Sequence, residues 1–505
     1  MTMKQGSNRG FKLVLVVALL VLLVAGSFVQ PALTAARARL GLTQVTPLEN
    51  APPVLAFTTV ALGGFRGIIA NALWIRSNEL EEKGKYFEAM QLADWITKLQ
   101  PRMVQVWTVQ AWNMAYNISV KFTAPEDKWR WVKAGTELLR DEGLKYNPDE
   151  ALMYRELAWF FQHKMGHYLD SAHIYYKLQW AKLMIPVIGR DRPNWEELLN
   201  PQTDEARERV RQLREVFKMD PAIMKQVDDE YGPLEWKLPE THAIYWATVG
   251  LQHAAEKDKD TLRRVIYQCM DVAFQRGRLI LFENDEELFT APNLDILDKS
   301  NQAYLDMMKL DNQRPDQYHA YQNFLRKVVY NLYSHSRTRD AEKWWKQMKE
   351  IYPDAVRAGI TMDQWCVEMV SEDASGKDQS KTISAIEGQL TLAFYNLAIG
   401  DQEPAQVNIA LAVGIWTRYM TEVGCLNDPP SEDCPRLALP PLNVIRDILR
   451  DGMLDKDSGL SPASRARLLT ALNLPPDYEP TAHKEPPKPP EAKDAARGQP
   501  PTGNP

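Results

Sequence analysis

The chain has 505 residues, of which 45% are apolar and 25% charged, and its formal net charge is −6. That length suits two to four domains or one long repeat array, and the apolar fraction is that of a chain able to bury a core. The acidic balance argues against a nucleic-acid partner, since phosphate binding needs a concentrated basic surface.

Lys4, Arg9 and Lys12 precede an apolar run from Leu13 to Val29. At 1.5 Å per residue the run is about 25 Å long, a little short of a ~30 Å hydrocarbon core; Lys12 and local thinning absorb the difference. The three cations before it, against Arg37 and Arg39 after it, favour a cytoplasmic stub and anchor in residues 1–30 with the body on the far side. A cleaved signal peptide ending near Ala36-Arg37-Ala38 is the competing reading, for which the run is long. Both readings export the rest of the chain. Residues 31–69 then form a linker and Gly-rich turn. The apolar stretch Pro53 to Ile75 contains Arg66, Asn71 and three glycines, which makes a second span expensive.

From residue 70 the apolar and small residues recur with the period of paired helices. A 34-residue unit closing on Pro101 sets Leu73 and Leu80 at large positions, Ser77 and Ala89 at small ones, and Gly84 at the turn between two helices. Small residues let antiparallel helices approach, large ones fill the seam to the next pair, and the proline ends the second helix. Arg76 departs from the pattern. The unit restarts with Trp107 and Ala111, is broken by an insertion around Phe122–Trp131, and restarts after Pro148 with Tyr154, Leu157, Ala158 and Phe161. Leu325, Val328, Leu332, Ala341 and Pro353 repeat the spacing, and Gly400, Ala405 and Ala412 do so more weakly.

This pattern resembles that of bacterial membrane-anchored tetratricopeptide (TPR) repeat proteins, over roughly residues 70–180 and again over 320–355. The segments GGFRGIIANALWIR and LADWITKLQP are similar to a group of exported proteins of this type that carry no assigned activity. The resemblance implies an all-α fold, a TPR-like α-solenoid of antiparallel helix pairs, behind the N-terminal transmembrane helix. The repeats divide into 70–185 and a second helical array over 301–425. Residues 186–300 fit no repeat and read as an irregular, mostly helical insertion, in which RLILF at Arg278–Phe282 is a short hairpin or a loop. A loop and C-terminal helices follow over 426–475. The tail 476–505, rich in Pro, Lys and Ala, is too polar to bury a core and reads as disordered.

Chemistry-bearing patterns are few. Cys269, Cys366, Cys425 and Cys434 have no metal-ligand spacing. Cys425 and Cys434 bracket a Pro-rich acidic loop, where a disulfide suits an exported domain and a reduced pair is the alternative. His163 and His167 stand four apart on a helix with His173 nearby; a metal pair is one reading, and polar residues beside a groove and a helix turn the favoured one, since the segment lacks HExxH. Asp260, Asp285 and Glu286 read as solvated surface. No phosphate loop or GxSxG elbow is present, and no cofactor is expected.

The TPR register implies instead a concave, partner-binding face lined by Asn78, Trp112, Tyr116, Arg155, Trp159, Gln162, His163, Arg326, Tyr330 and Tyr333. Trp, Tyr and Arg are favoured anchors in such surfaces. The alternative is that the insertions fill this groove from within the chain. The expected function is a bacterial inner-membrane scaffold or adaptor, its bulk extracytoplasmic, holding other envelope proteins in a transporter or secretion complex. An envelope enzyme or ligand carrier, with its site in or near 156–300, is the competing class.

Overall fold

The computed structural model describes residues 66–281, 288–310, 315–370, 378–455 and 460–480, with isolated positions between Val14 and Arg39. The anchor segment Leu13–Val29 lies largely outside the described residues. Gly63, Gly64, Asp285, Glu286 and residues 481–505 of the tail lie wholly outside them. Among the described residues no helix is long and apolar enough to cross a membrane. What is described is helical, save for one two-stranded hairpin.

The chain divides into two compact units, Met1–Pro101 and Arg102–Pro505. In the first, α1 (Arg66–Glu82) and α2 (Tyr86–Leu99) form a helical pair. Gly84 turns the chain between them at φ +71°, a left-handed conformation that favours glycine. Ser77 and Ala89 are both buried, and the Ser77 hydroxyl donates to the Ala89 carbonyl at 3.3 Å. Two small side chains thus bring the helix backbones within reach of one hydroxyl.

The second unit opens with three helices of one design. α3 (Val104–Trp112), α4 (Pro125–Glu137) and α5 (Ala151–Trp159) each run directly into a π-helical stretch, Asn113–Ile118, Leu138–Gly143 and Phe160–Met165 respectively. A π turn shifts the hydrogen-bond register from i+4 to i+5 and is often found at functional sites. α3 and α4 nearly touch: a Cβ on Gly135 would stand 2.8 Å from the Ala111 carbonyl oxygen.

Residues 186–300 are mostly helical. After α6 (His173–Ile188) come α7 (Trp195–Leu199), α8 (Asp204–Glu215), α9 (Pro221–Tyr231), α10 (Pro239–His253) and α11 (Glu256–Arg276). Asn194, Thr203 and Asp220 cap α7, α8 and α9 by accepting backbone N–H groups. α10 packs on α5 and α11 and is buried on every side from Pro239 to Gly250, so it shows no amphipathic stripe. RLIL, the described part of that segment, belongs to a hairpin: β1 (Arg278–Leu281) pairs antiparallel with β2 (Leu288–Ala291), Arg278 opposite Ala291.

Then follow α12 (Leu297–Leu310), α13 (Pro315–Ser334) and α14 (Thr338–Ile351), the last two forming a pair with Ala341 fully buried. After α15 (Met362–Val370), α16 (Gln379–Ile399) and α17 (Gln402–Glu422) form another pair about Gly400, at φ +93°, with Ala405 and Ala412 buried. Cys425 and Cys434 are disulfide-bonded, their Cα atoms 5.0 Å apart, while Cys269 and Cys366 are buried free thiols. Cys434 begins the short α18 (Cys434–Leu437). Behind it α19 (Leu442–Leu454) and α20 (Pro462–Ala471) pack on α16 and complete a core of their own around Leu390, Phe394 and Leu468.

The close approach of α3 to α4 sets a measurable contrast. Gly135→Val should cost about 1–3 kcal/mol because backbone, not a flexible side chain, meets the new atoms. Gly388→Ala in α16, where nothing lies within 4 Å of the added carbon, should be neutral or stabilise by up to about 1 kcal/mol. Denaturant unfolding of the two variants checks both.

Candidate functional site

Trp112 and Tyr116 leave α3 four residues apart, the second from within the π stretch, and their rings stack at 4.0 Å and 15°. Trp159, the last residue of α5, and His163, in the π stretch that follows, repeat the arrangement at 4.6 Å and 9°. The two pairs meet where the Tyr116 hydroxyl lies 3.3 Å from His163 Nδ1. From His163 the stack continues to His167 (5.8 Å) and Tyr168 (4.3 Å). The rings therefore form a ladder whose ends, Trp112 and Tyr168, are exposed. The indole of Trp159 also lies close to the Tyr116 oxygen. Burial, helped by Glu156, raises the Tyr116 pKa, so the phenol stays protonated and able to donate.

Beneath the ladder lies a buried ion pair. Lys164 Nζ is 2.6 Å from Asp170 Oδ2, with 3% and 9% of the two side chains exposed, and 5.1 Å from the Tyr116 ring centroid. The other Asp170 oxygen accepts from the Ala172 amide at 2.9 Å and the Tyr176 hydroxyl at 3.2 Å. Burial opposes its ionisation, but Lys164 and the Ala172 amide outweigh it and hold the Asp170 carboxyl below its ordinary value. The segment from Gly166 to Ala172, which carries His167, is thereby fixed to the end of the π stretch.

Three imidazoles share this neighbourhood. Burial lowers the pKa of His163, with His167 and Lys164 adding repulsion; burial lowers those of His167 and His173, with Arg276 and Lys177 adding to it. All three are therefore neutral at neutral pH. His242, on α10, is a core histidine. Its Nε2 sits 2.8 Å from the Trp236 carbonyl, and the rings of Phe161, Trp180 and Trp236 surround it. Burial pushes its pKa down to about 3.

Of the residues read from the sequence, the structure brings Trp112, Tyr116, Trp159 and His163 into one cluster. Arg155 stands beside it, 2.5 Å from Glu156. Gln162 donates to Gln268 of α11 at 2.8 Å, so a helix from the 186–300 region covers that part of the face. Asn78 is an exposed residue of α1, in the first unit. Arg326, Tyr330 and Tyr333 lie on α13 away from the rings: Tyr330 bonds Gln389 of α16 at 3.0 Å, and Tyr333 faces Asp363. These helices are joined by polar contacts, Gln162–Gln268, Asp271–Lys327 at 2.9 Å and Tyr330–Gln389. Lys164, Asp170, Lys177, Glu240 and Arg276 carry the electrostatics of the site and went unread, because their pairings span turns and separate helices. Only the burial of the helix carrying Lys164, flanked by Phe161 and Met165, hinted at a buried charge.

His163 and His167 stack ring on ring rather than aiming two nitrogens at a common point. Among the described residues no group of three or more His, Cys, Asp or Glu is placed to hold a metal. A separate cavity of about 240 Å³ near the β-hairpin is lined by Arg192, Arg278, Arg337, Glu235 and Asp295. Its three arginines each have a carboxylate, Asp295, Asp401 and Asp340 respectively, so its charge is met internally. No protein-family model matches the chain, and no curated protein matches it.

The histidine shifts fix a pH dependence. Each folded-state pKa lies below the unfolded value of about 6.5, so the unfolded chain binds more protons as pH falls through that value. Stability from these groups is full above about pH 6.5 and declines below it. His242→Phe should flatten the decline by up to about 1.4 kcal/mol per pH unit, measured by denaturant unfolding from about pH 7 to 5. An unchanged slope would mean that His242 takes up a proton while folded.

Proposed function

We propose that the chain is a membrane-anchored helical scaffold of the TPR type in a bacterial envelope, and that the ring ladder on α3 and α5 is its partner-binding face. The observation that carries this reading is the stack from Trp112 through Tyr116, Trp159 and His163 to Tyr168, held from below by a buried ion pair and exposed at both ends. Aromatic side chains held rigid before binding lose little entropy when a partner covers them, and Trp and Tyr are enriched among residues that dominate interface energies. Paired helices with small residues at Ser77, Ala89, Ala341 and Ala405, closed by turns at Gly84 and Gly400, are consistent with a repeat architecture. The Cys425–Cys434 disulfide favours a compartment outside the cytoplasm. The apolar run Leu13–Val29 would supply the anchor.

A photo-reactive amino acid at position 112, activated in native membranes, should cross-link to a discrete protein partner. Against that partner, Trp112→Ala should weaken binding about ten- to thirtyfold, equivalent to about 1.4–2 kcal/mol, without changing the melting temperature. No cross-linked product, together with full function of a Trp112→Ala, Trp159→Ala double variant, would remove the scaffold reading. The export reading has its own check. Protein isolated without reductant and denatured should expose two reactive thiols per chain, Cys269 and Cys366; four would contradict an oxidising compartment.

A further inference from the structure

Most buried or half-buried cations of the second unit have a carboxylate of their own. Lys164 has Asp170 at 2.6 Å, Lys237 has Glu235 at 2.8 Å, Lys327 has Asp271 at 2.9 Å, and Arg140 has Asp141 at 2.6 Å. The cluster where α6 begins and α11 ends does not follow this rule. Lys177, 5% exposed, has among the described residues only Glu240, at 3.7 Å. Arg276, on the last turn of α11, makes no ion pair and no side-chain hydrogen bond among the described residues. It lies within electrostatic reach of Lys177, His167 and His173. The elements themselves are adjacent: β1 follows Arg276 directly and pairs with β2, which packs on both α6 and α11. Of these two cations, Lys177 alone is paired among the described residues, with Glu240.

The histidines add donors rather than negative charge. Leu169 N–H donates to His167 Nδ1 at 3.3 Å, so neutral His167 carries its proton on Nε2. His173 stands one turn before Lys177 on the same helix face, and its Nδ1 is buried with no partner. A buried polar atom left unpaired costs free energy comparable to a lost hydrogen bond.

We propose that His167, His173, Lys177 and Arg276 form a site for an oxyanion, the phosphoryl or carboxylate group of a small molecule. One negative charge would balance the cluster. The guanidinium offers paired donors matched to two oxygens of such a group, and imidazole N–H groups complete the shell. Glu240 stays with Lys177 as its counter-ion, and its second oxygen, buried without a partner, is left to accept a hydroxyl of the ligand. The site does not depend on the scaffold reading, because it needs no second protein.

Isothermal titration of the full-length chain in detergent with inorganic phosphate, and separately with acetate, tests this. Saturable binding of either anion, weakened at least tenfold in Arg276→Gln and less in Arg276→Lys, is the expected result, and which anion binds assigns the class. His173→Gln, which leaves both cations in place, should also weaken binding and serves if Arg276→Gln fails to fold. Absence of saturable binding of both anions overturns the proposal. So does binding that Arg276→Gln, folded as judged by circular dichroism, leaves unchanged.

Discussion

An ammonium group carried into a helical interior has to be met there by a carboxylate, and in this protein the arrangement of the candidate site follows from how Lys164 is met. Lys164 is 3% exposed in relative surface area and sits within the π stretch that ends α5. Asp170 reaches it from the segment leading into α6, and also gathers the Ala172 amide and the Tyr176 hydroxyl. One carboxylate thus ties the end of α5, the chain reversal after Gly166 and the first turns of α6 together. His167 lies inside that loop and His173 just beyond it, so the position of both imidazoles depends on the pair.

The second constraint is steric. Helices in this fold approach closely at several small residues: Ser77 against Ala89, Gly135 against Ala111, and Gly250 against Tyr154, where a Cβ would stand 2.8 Å away. Close backbones bring the side chains on neighbouring helices within ring-stacking distance, which lets Tyr116, just after α3, meet His163, just after α5. The π stretches add a register change in the same three helices. The result is a surface on which aromatic rings are stacked on one another.

The sequence disclosed the helix pairs because their marks are local. Gly84 and Gly400 adopt the left-handed conformation that only a turn demands, and Ala89, Ala341 and Ala405 are buried where the spacing put them. Trp112 and Tyr116, and likewise Trp159 and His163, were legible because each pair stands four residues apart, the local spacing of one helix face. What the sequence did not disclose is non-local or unmarked. α10 is buried all round, so no polar–apolar alternation shows which of its faces meet the core. The π stretches have no residue signature, since they shift hydrogen bonds without requiring a particular side chain. Lys164–Asp170 and Lys177–Glu240 bridge a turn and two helices, and nothing in spacing alone distinguishes them from surface charges. Gln268 of α11, in the region that fits no repeat, covers Gln162 and narrows the face that spacing alone would leave open.

Whether the buried ion pair organises the site can be measured directly by a double-mutant cycle on Lys164→Met and Asp170→Asn, read by denaturant unfolding. Each single change leaves a buried charge uncompensated and should cost about 3–5 kcal/mol. The double variant should cost well less than the sum, giving a coupling of at least about 2 kcal/mol. Additive costs, or single costs below about 1 kcal/mol, would mean that the pair is not what holds the histidine segment in place.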